Sequence, residues 1–308
     1  MAAQHNFLPI AFLKGEYIPF ESAKVSIAMH SLHYATAAFG GLRVIPDPSE
    51  PNTMLFFRLD RHAERLSQSA KLLHYDLAPE RIREVLEEIV KRNKLPKSLY
   101  LRPLVHCSSL GISPRLHDIE KDFLVYGLEL GDYLSPSGVS CRISSWVRQE
   151  DRSLPLRGKI TSAYVTSSLA KTEAYESGFD EAILMNTQGK VSEASAMNIF
   201  IVRRDELITP GPDQDILEGI TRDSVMTLAR EQGIKVTERA VDKSELFIAD
   251  EVFLTGTAAR ITPVNRIEGY SLKSERPVTS RLLTELVAAT EGRSSKYENW
   301  ITRCCISN

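Results

Sequence analysis

Residues 250–264, DEVFLTGTAARITPV, carry an apolar run that ends in a turn of small residues. The run predicts a buried strand, and the unhindered backbone of the turn at 255–258 (TGTA) lets a ligand approach closely. A similar turn at 219–221 (GIT) opens the helix predicted for LEGITRDSVMTLAREQG, where backbone N–H groups, a threonine hydroxyl and the helix dipole favour a phosphate. Each turn could also be ordinary, since threonine caps helices and glycine serves tight turns. Together they indicate a phosphate-bearing ligand without settling it.

Strand and helix patterns alternate through the first part of the chain, and short strands dominate the second. TMLFFRL followed by DRHAERLSQSAKLL predicts a strand and a helix, ERIREVLEEIVKRN a second helix, and SLYLRPLVHCS and DFLVYGLEL two more strands. FLKGEYIPF and SAKVSIAMH predict two short strands around a glycine-containing turn. GDYLSPSG is the best linker candidate. We therefore expect an α/β (α+β) fold of two domains, with residues 1–136 in the first, 137–147 as linker or strand start, and 148–308 in a second, antiparallel-rich domain.

Composition excludes several classes of protein. With 38 basic and 40 acidic residues, the net charge of -2 gives no reason to expect a nucleic-acid or membrane partner. The apolar run FLPIAFL is too short to span a bilayer and lacks the features of a signal peptide. The four cysteines show no C-x-x-C spacing, which argues against a disulfide framework or a zinc knuckle and favours a cytoplasmic protein. The pair Cys304-Cys305 is expected to lie in a frayed, exposed tail.

Several charged side chains are candidates for chemistry, each with an ordinary alternative. Lysine becomes nucleophilic when burial lowers its pKa, and Lys159 precedes a run of small and apolar residues, although most lysines are solvated. Glu193 could hold a heteroaromatic N–H cation or be a solvated turn residue. Arg58 and Arg102 lie in apolar strand patterns and would need an anion if they point inward. Three tyrosines fit ordinary positions in a protein core: Tyr34, Tyr100 and Tyr164.

Seven segments, taken in order and spacing, resemble the branched-chain amino-acid aminotransferases of the class IV pyridoxal-phosphate enzymes. They are HSLHYATAAFGGLR, FFRLDRHAERL, LYLRPL, RGKITSAY, GKVSEASAMNIF, ILEGITRD and DEVFLTGTAARITPV, within about residues 20–275. The resemblance implies the class IV aminotransferase fold, with a smaller N-terminal α/β domain and a larger C-terminal domain with a barrel-like sheet. It also implies pyridoxal 5′-phosphate as cofactor, amino transfer between L-leucine, L-isoleucine or L-valine and 2-oxoglutarate, and a homodimer or hexamer.

The resemblance assigns roles to matching residues of this chain. Lys159 is the implied catalytic residue, which binds the cofactor and moves the substrate proton. Glu193 would pair with the pyridine nitrogen, and Arg102 would be the counter-ion of the glutamate side chain. The implied cofactor-binding residues are Arg58, Lys159, Tyr164, Glu193, Gly219, Ile220, Thr221, Gly256 and Thr257. The implied substrate-binding residues are Tyr34, Phe39, Gly41, Tyr100, Arg102, Trp146, Tyr164, Thr257 and Ala258, and no metal is implied.

The chain departs from the family pattern in two places. Gly40 stands where many members have glutamate, and the residues after Lys159 differ from the common small-Gly-Asn pattern. The preference among the three amino acids therefore stays open, as do the oligomer and the physiological direction. A D-amino-acid aminotransferase and an aminodeoxychorismate lyase of the same fold are the alternative enzymes. A non-catalytic protein that binds a phosphate ligand is the alternative from another class.

Overall fold

The computed structural model describes residues 6–131 and 137–306, which form two compact units. The first unit holds the described residues of Met1–Gly131, Gly158–Ser162 and Ala288–Asn308. The second holds those of Asp132–Arg157 and Ala163–Val287. Two segments expected in the domain at 148–308 thus group with the first unit, because each of them pairs with a strand of that unit. Most of the linker candidate GDYLSPSG lies outside the described residues.

The elements follow one another in chain order. Residues up to 131 form β1 (Ile10–Leu13), β2 (Glu16–Pro19), α1 (His30–Tyr34), β3 (Ala37–Phe39), β4 (Leu42–Pro46), β5 (Thr53–Phe57), α2 (Leu59–Leu72), α3 (Pro79–Asn93), β6 (Leu99–Cys107) and β7 (Lys121–Glu129). The rest forms β8 (Val139–Val147), α4 (Tyr164–Glu176), β9 (Glu181–Met185), β10 (Val191–Ala194), β11 (Asn198–Arg203), β12 (Glu206–Thr209), α5 (Ile220–Glu231), β13 (Lys235–Glu238), α6 (Lys243–Phe247), β14 (Glu251–Gly256), β15 (Arg260–Ile267), β16 (Tyr270–Ser271), α7 (Pro277–Thr290) and β17 (Ile301–Cys305). None of the helices among the described residues combines the length and the apolar character needed to cross a membrane.

The first unit is an antiparallel sheet with two helices packed on it. The strand order is β17-β5-β4-β6-β7-β1-β2, and β3 pairs with β6. Leu59, Ala63, Leu66 and Ala70 recur at helical spacing along α2 and are all buried in the core. Helix α3 begins at Pro79, one residue before the predicted segment, at a position where the missing N–H costs nothing. The predicted strands and helices of this unit are therefore confirmed from β5 to β7.

Two expectations for this unit are wrong. SAKVSIAMH forms no strand: its backbone makes only an isolated bridge from Met29 to Leu110. Its apolar alternation does not mark a covered strand, because Ile27 is 85% exposed. The C-terminal pair is not in a frayed tail either. Strand β17 pairs with β5 in register, which buries Cys304 in the core and leaves Cys305 exposed.

The second unit is built on a nine-stranded sheet of order β10-β9-β8-β15-β14-β11-β12-β13, with β16 paired to β15. The pairs β8–β9, β8–β15 and β12–β13 are parallel, and the others are antiparallel. The short strands expected in the second part of the chain include β9 to β12, between residues 181 and 209. Asn198 lies opposite Thr255 where β11 and β14 pair, and this register brings two site segments together.

Candidate active site

Lys159 is held through its main chain in the first unit. Its N–H donates to Ser69 Oγ at 3.1 Å, and its carbonyl accepts from the Phe39 N–H at 2.9 Å. Its Nζ lies 4.9 Å from the centre of the Phe39 ring. The preceding Gly158 is a tight fit, since a Cβ there would lie 2.7 Å from Leu72 Cδ1. The lysine therefore has a fixed backbone from which its partly buried side chain extends.

Four of the expected substrate-binding residues lie together beside this lysine. Arg102 Cζ is 4.6 Å from the centre of the Phe39 ring and 5.4 Å from that of Tyr100. Arg102 Nη2 lies 3.5 Å from the Tyr100 hydroxyl. Gly41 makes room for that hydroxyl, because a Cβ there would be 1.9 Å from it. Arg102 Nε is buried without a hydrogen-bond acceptor in the described chain, so the cluster suits a bound anion.

Arg58 lies where β5 turns into α2, in an unusual backbone conformation. Its φ is 53°, in the left-handed region that costs a side-chain-bearing residue about 1 kcal/mol or more. Its N–H donates to the Trp300 carbonyl at 2.7 Å, and its Cζ lies 4.7 Å from the centre of the Trp300 ring. Arg58 is only 8% exposed, so a cation is held at this strand end.

His62 adds to the picture of a positively charged region. It is buried, and the pKa of its imidazole lies well below the usual value, first because burial disfavours the charged form and then because of Arg65, Lys159 and Arg58. The side chain is therefore neutral at pH 7, next to three cations. Such a surrounding stabilises an anion, and sequence reasoning did not single out this histidine.

In the second unit, Glu193 is a buried carboxylate with its orientation fixed. Arg148 Nη2 contacts Oε1 at 2.8 Å, while Asn198 Nδ2 and the Leu217 N–H donate to Oε2 at 2.9 and 3.1 Å. The Arg148 and Glu193 side chains are 5% and 8% exposed. The sequence did not point to Arg148 or Asn198. For Asn198, the available signal was a polar residue inside the apolar run MNIFIV.

The N-terminus of α5 lies against the same asparagine. Gly219 is the residue before the helix, and a Cβ there would lie 1.9 Å from Asn198 Oδ1. Ile220 and Thr221 form the first turn, where N–H groups have no helical acceptor and the dipole favours an anion. One asparagine thus links the Glu193 carboxylate to the anion-binding end of a helix.

The turn at 255–258 joins this arrangement through the sheet. Thr255 lies opposite Asn198 in the β11–β14 pair, and its Oγ1 is buried without a partner among the described residues. Gly256 is the last residue of the strand, and a Cβ there would lie 3.2 Å from Met197 Cγ. Thr257 and Ala258 follow and are partly buried. The two turns that the sequence singled out therefore lie at one end of the same sheet.

The remaining predicted site residues occupy less enclosed positions. Tyr34 donates its hydroxyl proton to the Ile112 carbonyl. Trp146 lies on β8 with 46% of its surface exposed, and Tyr164 is the first residue of α4, partly buried. Residues 6–131 and 137–306 hold no cluster of three or more histidine, cysteine or acidic side chains suited to a metal ion.

Comparisons with known proteins show the family and the fold. The model of the amino-transferase class IV family matches residues 39–267. The chain is 65% identical over 297 residues to a probable branched-chain-amino-acid aminotransferase from Synechocystis sp., covering 96% of this chain and 97% of that protein. The branched-chain aminotransferase of Thermoproteus uzoniensis with norvaline is similar at a TM-score of 0.92 and 35% identity, covering 98% and 100% of the two chains. The branched-chain amino acid aminotransferase of Thermobaculum terrenum in its PLP form (holo-form) is similar at a TM-score of 0.91 and 34% identity, covering 98% and 99%.

Proposed function

The chain belongs to the class IV aminotransferases, and we propose that it transfers the amino group of L-leucine, L-isoleucine or L-valine to 2-oxoglutarate, with pyridoxal 5′-phosphate as cofactor. One observation carries the proposal: Asn198 contacts both the buried Glu193 carboxylate and the N-terminal end of α5. This pairing offers a carboxylate for a ring N–H cation and a helix N-terminus for a phosphate, at a short separation.

The residues present fit this cofactor. The donor set around the phosphate position would comprise the N–H groups of Ile220 and Thr221, the Thr221 hydroxyl, Thr257 and the Arg58 guanidinium. Thr255 lies next to Gly256, and its buried Oγ1, which has no partner within residues 6–131 and 137–306, adds a polar atom at the same end of the sheet. When bound, pyridoxal 5′-phosphate supplies an electron-accepting ring that stabilises negative charge at the substrate Cα.

Each catalytic residue has a defined task in this proposal. The Lys159 amine would bind the cofactor covalently at rest and would then carry the proton between the substrate Cα and the C4′ carbon of the cofactor. Its backbone bonds to Ser69 and Phe39 restrict the positions that Nζ can reach. Glu193, held by Arg148, would keep the ring nitrogen protonated, and Tyr164 would donate a hydrogen bond to the 3-oxygen of the ring.

The substrate residues explain how an apolar and an acidic side chain could share one pocket. Phe39 and Tyr100 supply aromatic surface for a branched side chain. Arg102 Nε, which has no acceptor among the described residues, and the Tyr100 hydroxyl would pair with the side-chain carboxylate of glutamate, which cannot stay unpaired in an apolar pocket. Contributions from Tyr34, Gly41 and Trp146 belong to the same proposal, with the N–H groups of Thr257 and Ala258 binding the α-carboxylate.

We also propose that the protein is a cytoplasmic homodimer, with a hexamer as the next assembly to test. The homodimer is supported by an apolar patch on the first unit. There, main-chain hydrogen bonds donated by the N–H groups of His30 and Gly111 join the segment before and at the start of α1 to the loop at 109–111. The patch consists of Val25, Ile27, Leu32, Leu110 and Ile112, which are 46% to 87% exposed. A second copy of the chain would cover it. Ile112→Glu should shift the mass measured by light scattering toward the monomer, whereas Ile248→Glu on the second unit should not.

Replacing Lys159 by alanine tests the proposed reaction. We expect leucine–2-oxoglutarate transamination to fall by about 10²–10⁴-fold or more, with the circular dichroism spectrum retained. Lys190→Ala, which removes a surface lysine paired with Asp242, is the matched control and should keep full activity. Near-wild-type turnover in Lys159→Ala would contradict the proposal. If the wild-type protein turned over D-amino acids only, the D-amino-acid aminotransferase would be favoured instead.

A further inference from the structure

We propose that Trp300 is a positioning residue that orients Arg58 for the cofactor phosphate, an inference that rests on the proposed function. Trp300 lies directly before β17, far from Arg58 in the sequence. Its main chain and its ring each contact the arginine, so the C-terminal segment builds part of the phosphate-binding region.

The first contact fixes the arginine backbone. Strand β17 pairs with β5 so that Ile301 lies opposite Phe57, which places Trp300 beside Arg58. The Trp300 carbonyl accepts the Arg58 N–H at 2.7 Å. This hydrogen bond offsets the cost of the left-handed conformation, in which Arg58 leaves β5 and enters α2.

The second contact fixes the side chain. The guanidinium carbon lies 4.7 Å from the centre of the indole ring, a distance at which a cation is attracted to the aromatic face. The indole itself packs against Tyr297, at a ring separation of 4.5 Å, and against Phe57, in a T-shaped arrangement at 5.8 Å. A guanidinium held over an aromatic face keeps the N–H donors at its edge for other partners, and these donors bind phosphate oxygens.

The C-terminal segment that carries Trp300 is fixed to the first unit by further contacts. Arg303 pairs with the buried Asp47 at 3.2 Å, and the Ile306 N–H donates to the Asn52 carbonyl at 2.8 Å. Burial alone would raise the pKa of Asp47, but hydrogen bonds from Ser49 and the Arg303 guanidinium outweigh it and hold the pKa below its usual value. The pairing therefore persists at neutral pH.

The experiment uses the whole protein, freed of cofactor. For the wild type and each variant, it measures the affinity for pyridoxal 5′-phosphate and the affinity for pyridoxal, which lacks the phosphate. Trp300→Leu keeps the backbone bond and removes the ring, so we expect pyridoxal 5′-phosphate binding to weaken roughly 3- to 30-fold while pyridoxal binding changes less than about 2-fold. Trp300→Phe retains a weaker ring and should lie between wild type and Trp300→Leu. In an Arg58→Ala background, Trp300→Leu should have no further effect.

The outcomes separate this inference from the proposed function. If Arg58→Ala weakens pyridoxal 5′-phosphate binding but neither Trp300 variant does, the positioning role is overturned and the proposed function stands. Equal weakening of both ligands in the Trp300 variants would show a merely structural role and also overturn the inference. If Arg58→Ala itself leaves pyridoxal 5′-phosphate binding unchanged, the phosphate role of Arg58 and the inference fail together. Should Trp300→Leu not fold, Trp300→Phe carries the comparison.

Discussion

Removing Arg148 should destabilise the second unit through the charge that it leaves behind on Glu193. The two side chains are 5% and 8% exposed and lie 2.8 Å apart. Breaking a buried ion pair from one side costs about 3–5 kcal/mol. Since Asn198 Nδ2 and the Leu217 N–H still donate to the carboxylate, we expect Arg148→Met to lower the free energy of unfolding by about 3 kcal/mol, the lower end of that range.

Arg152 provides a matched control a few residues along the chain. It pairs with Glu150 at 2.5 Å, but its side chain is 85% exposed, and such pairs contribute about 0–1 kcal/mol. Arg152→Met should therefore change the stability little. Urea denaturation of the cofactor-free protein, followed by tryptophan fluorescence, compares the two variants without the added stability that a bound cofactor supplies.

A double variant tests the reason for the effect. Arg148→Met with Glu193→Gln replaces the stranded charge by a neutral amide, so it should be about 1–3 kcal/mol more stable than the sum of the single changes predicts. Strict additivity would refute the reasoning. So would an Arg148→Met variant as stable as Arg152→Met.

Three further predictions follow from individual contacts. Gly41→Ala places a Cβ 1.9 Å from the Tyr100 hydroxyl, so steady-state kinetics should show the KM for 2-oxoglutarate raised about 10-fold or more and that for leucine raised less; equal effects on both would contradict the assignment. Gly219→Ala drives a Cβ to 1.9 Å from Asn198 Oδ1 and should weaken pyridoxal 5′-phosphate binding at least about 10-fold in equilibrium dialysis, whereas Gly233→Ala, which affects only a helix end, should not. Hydrogen bonds from Arg239 lower the pKa of Glu245 to about 2 despite its burial. Because this folded-state pKa lies below the unfolded one, the stabilisation is present above about pH 4.5 and is lost as the pH falls toward 2; Glu245→Gln should flatten that part of the stability–pH curve, and an unchanged slope would argue against the contribution.

Local signals explain the parts of the fold that the sequence could predict. The helical spacing of Leu59, Ala63 and Leu66 and the proline at the start of α3 depend only on nearby residues, and both helices are where the patterns place them. The glycine turns at 219 and 255–258 are likewise short-range features. The fold class followed from these elements and from the ordered segments that resemble the class IV family.

The rest depends on pairing between distant segments, which no local pattern records. Strand β17 is held by β5, and its residues alone gave no sign of a sheet edge. The Trp300 contact with Arg58 exists only once β17 has paired with β5. The Arg148 contact with Glu193 exists only once the sheet has brought the end of β8 near β10. SAKVSIAMH shows the opposite error: its alternation resembles a strand, yet Val25 and Ile27 remain exposed. An exposed apolar segment cannot be distinguished from a buried strand by alternation alone.

The most direct test of the proposed reaction is the visible absorption spectrum of the purified protein with pyridoxal 5′-phosphate, recorded before and after L-leucine and again after 2-oxoglutarate. We expect the band of the lysine-bound cofactor to disappear with L-leucine and to return with 2-oxoglutarate, while Lys159→Ala never shows that band. A wild-type spectrum that ignores L-leucine, or that never shows the band at all, would contradict the proposed reaction.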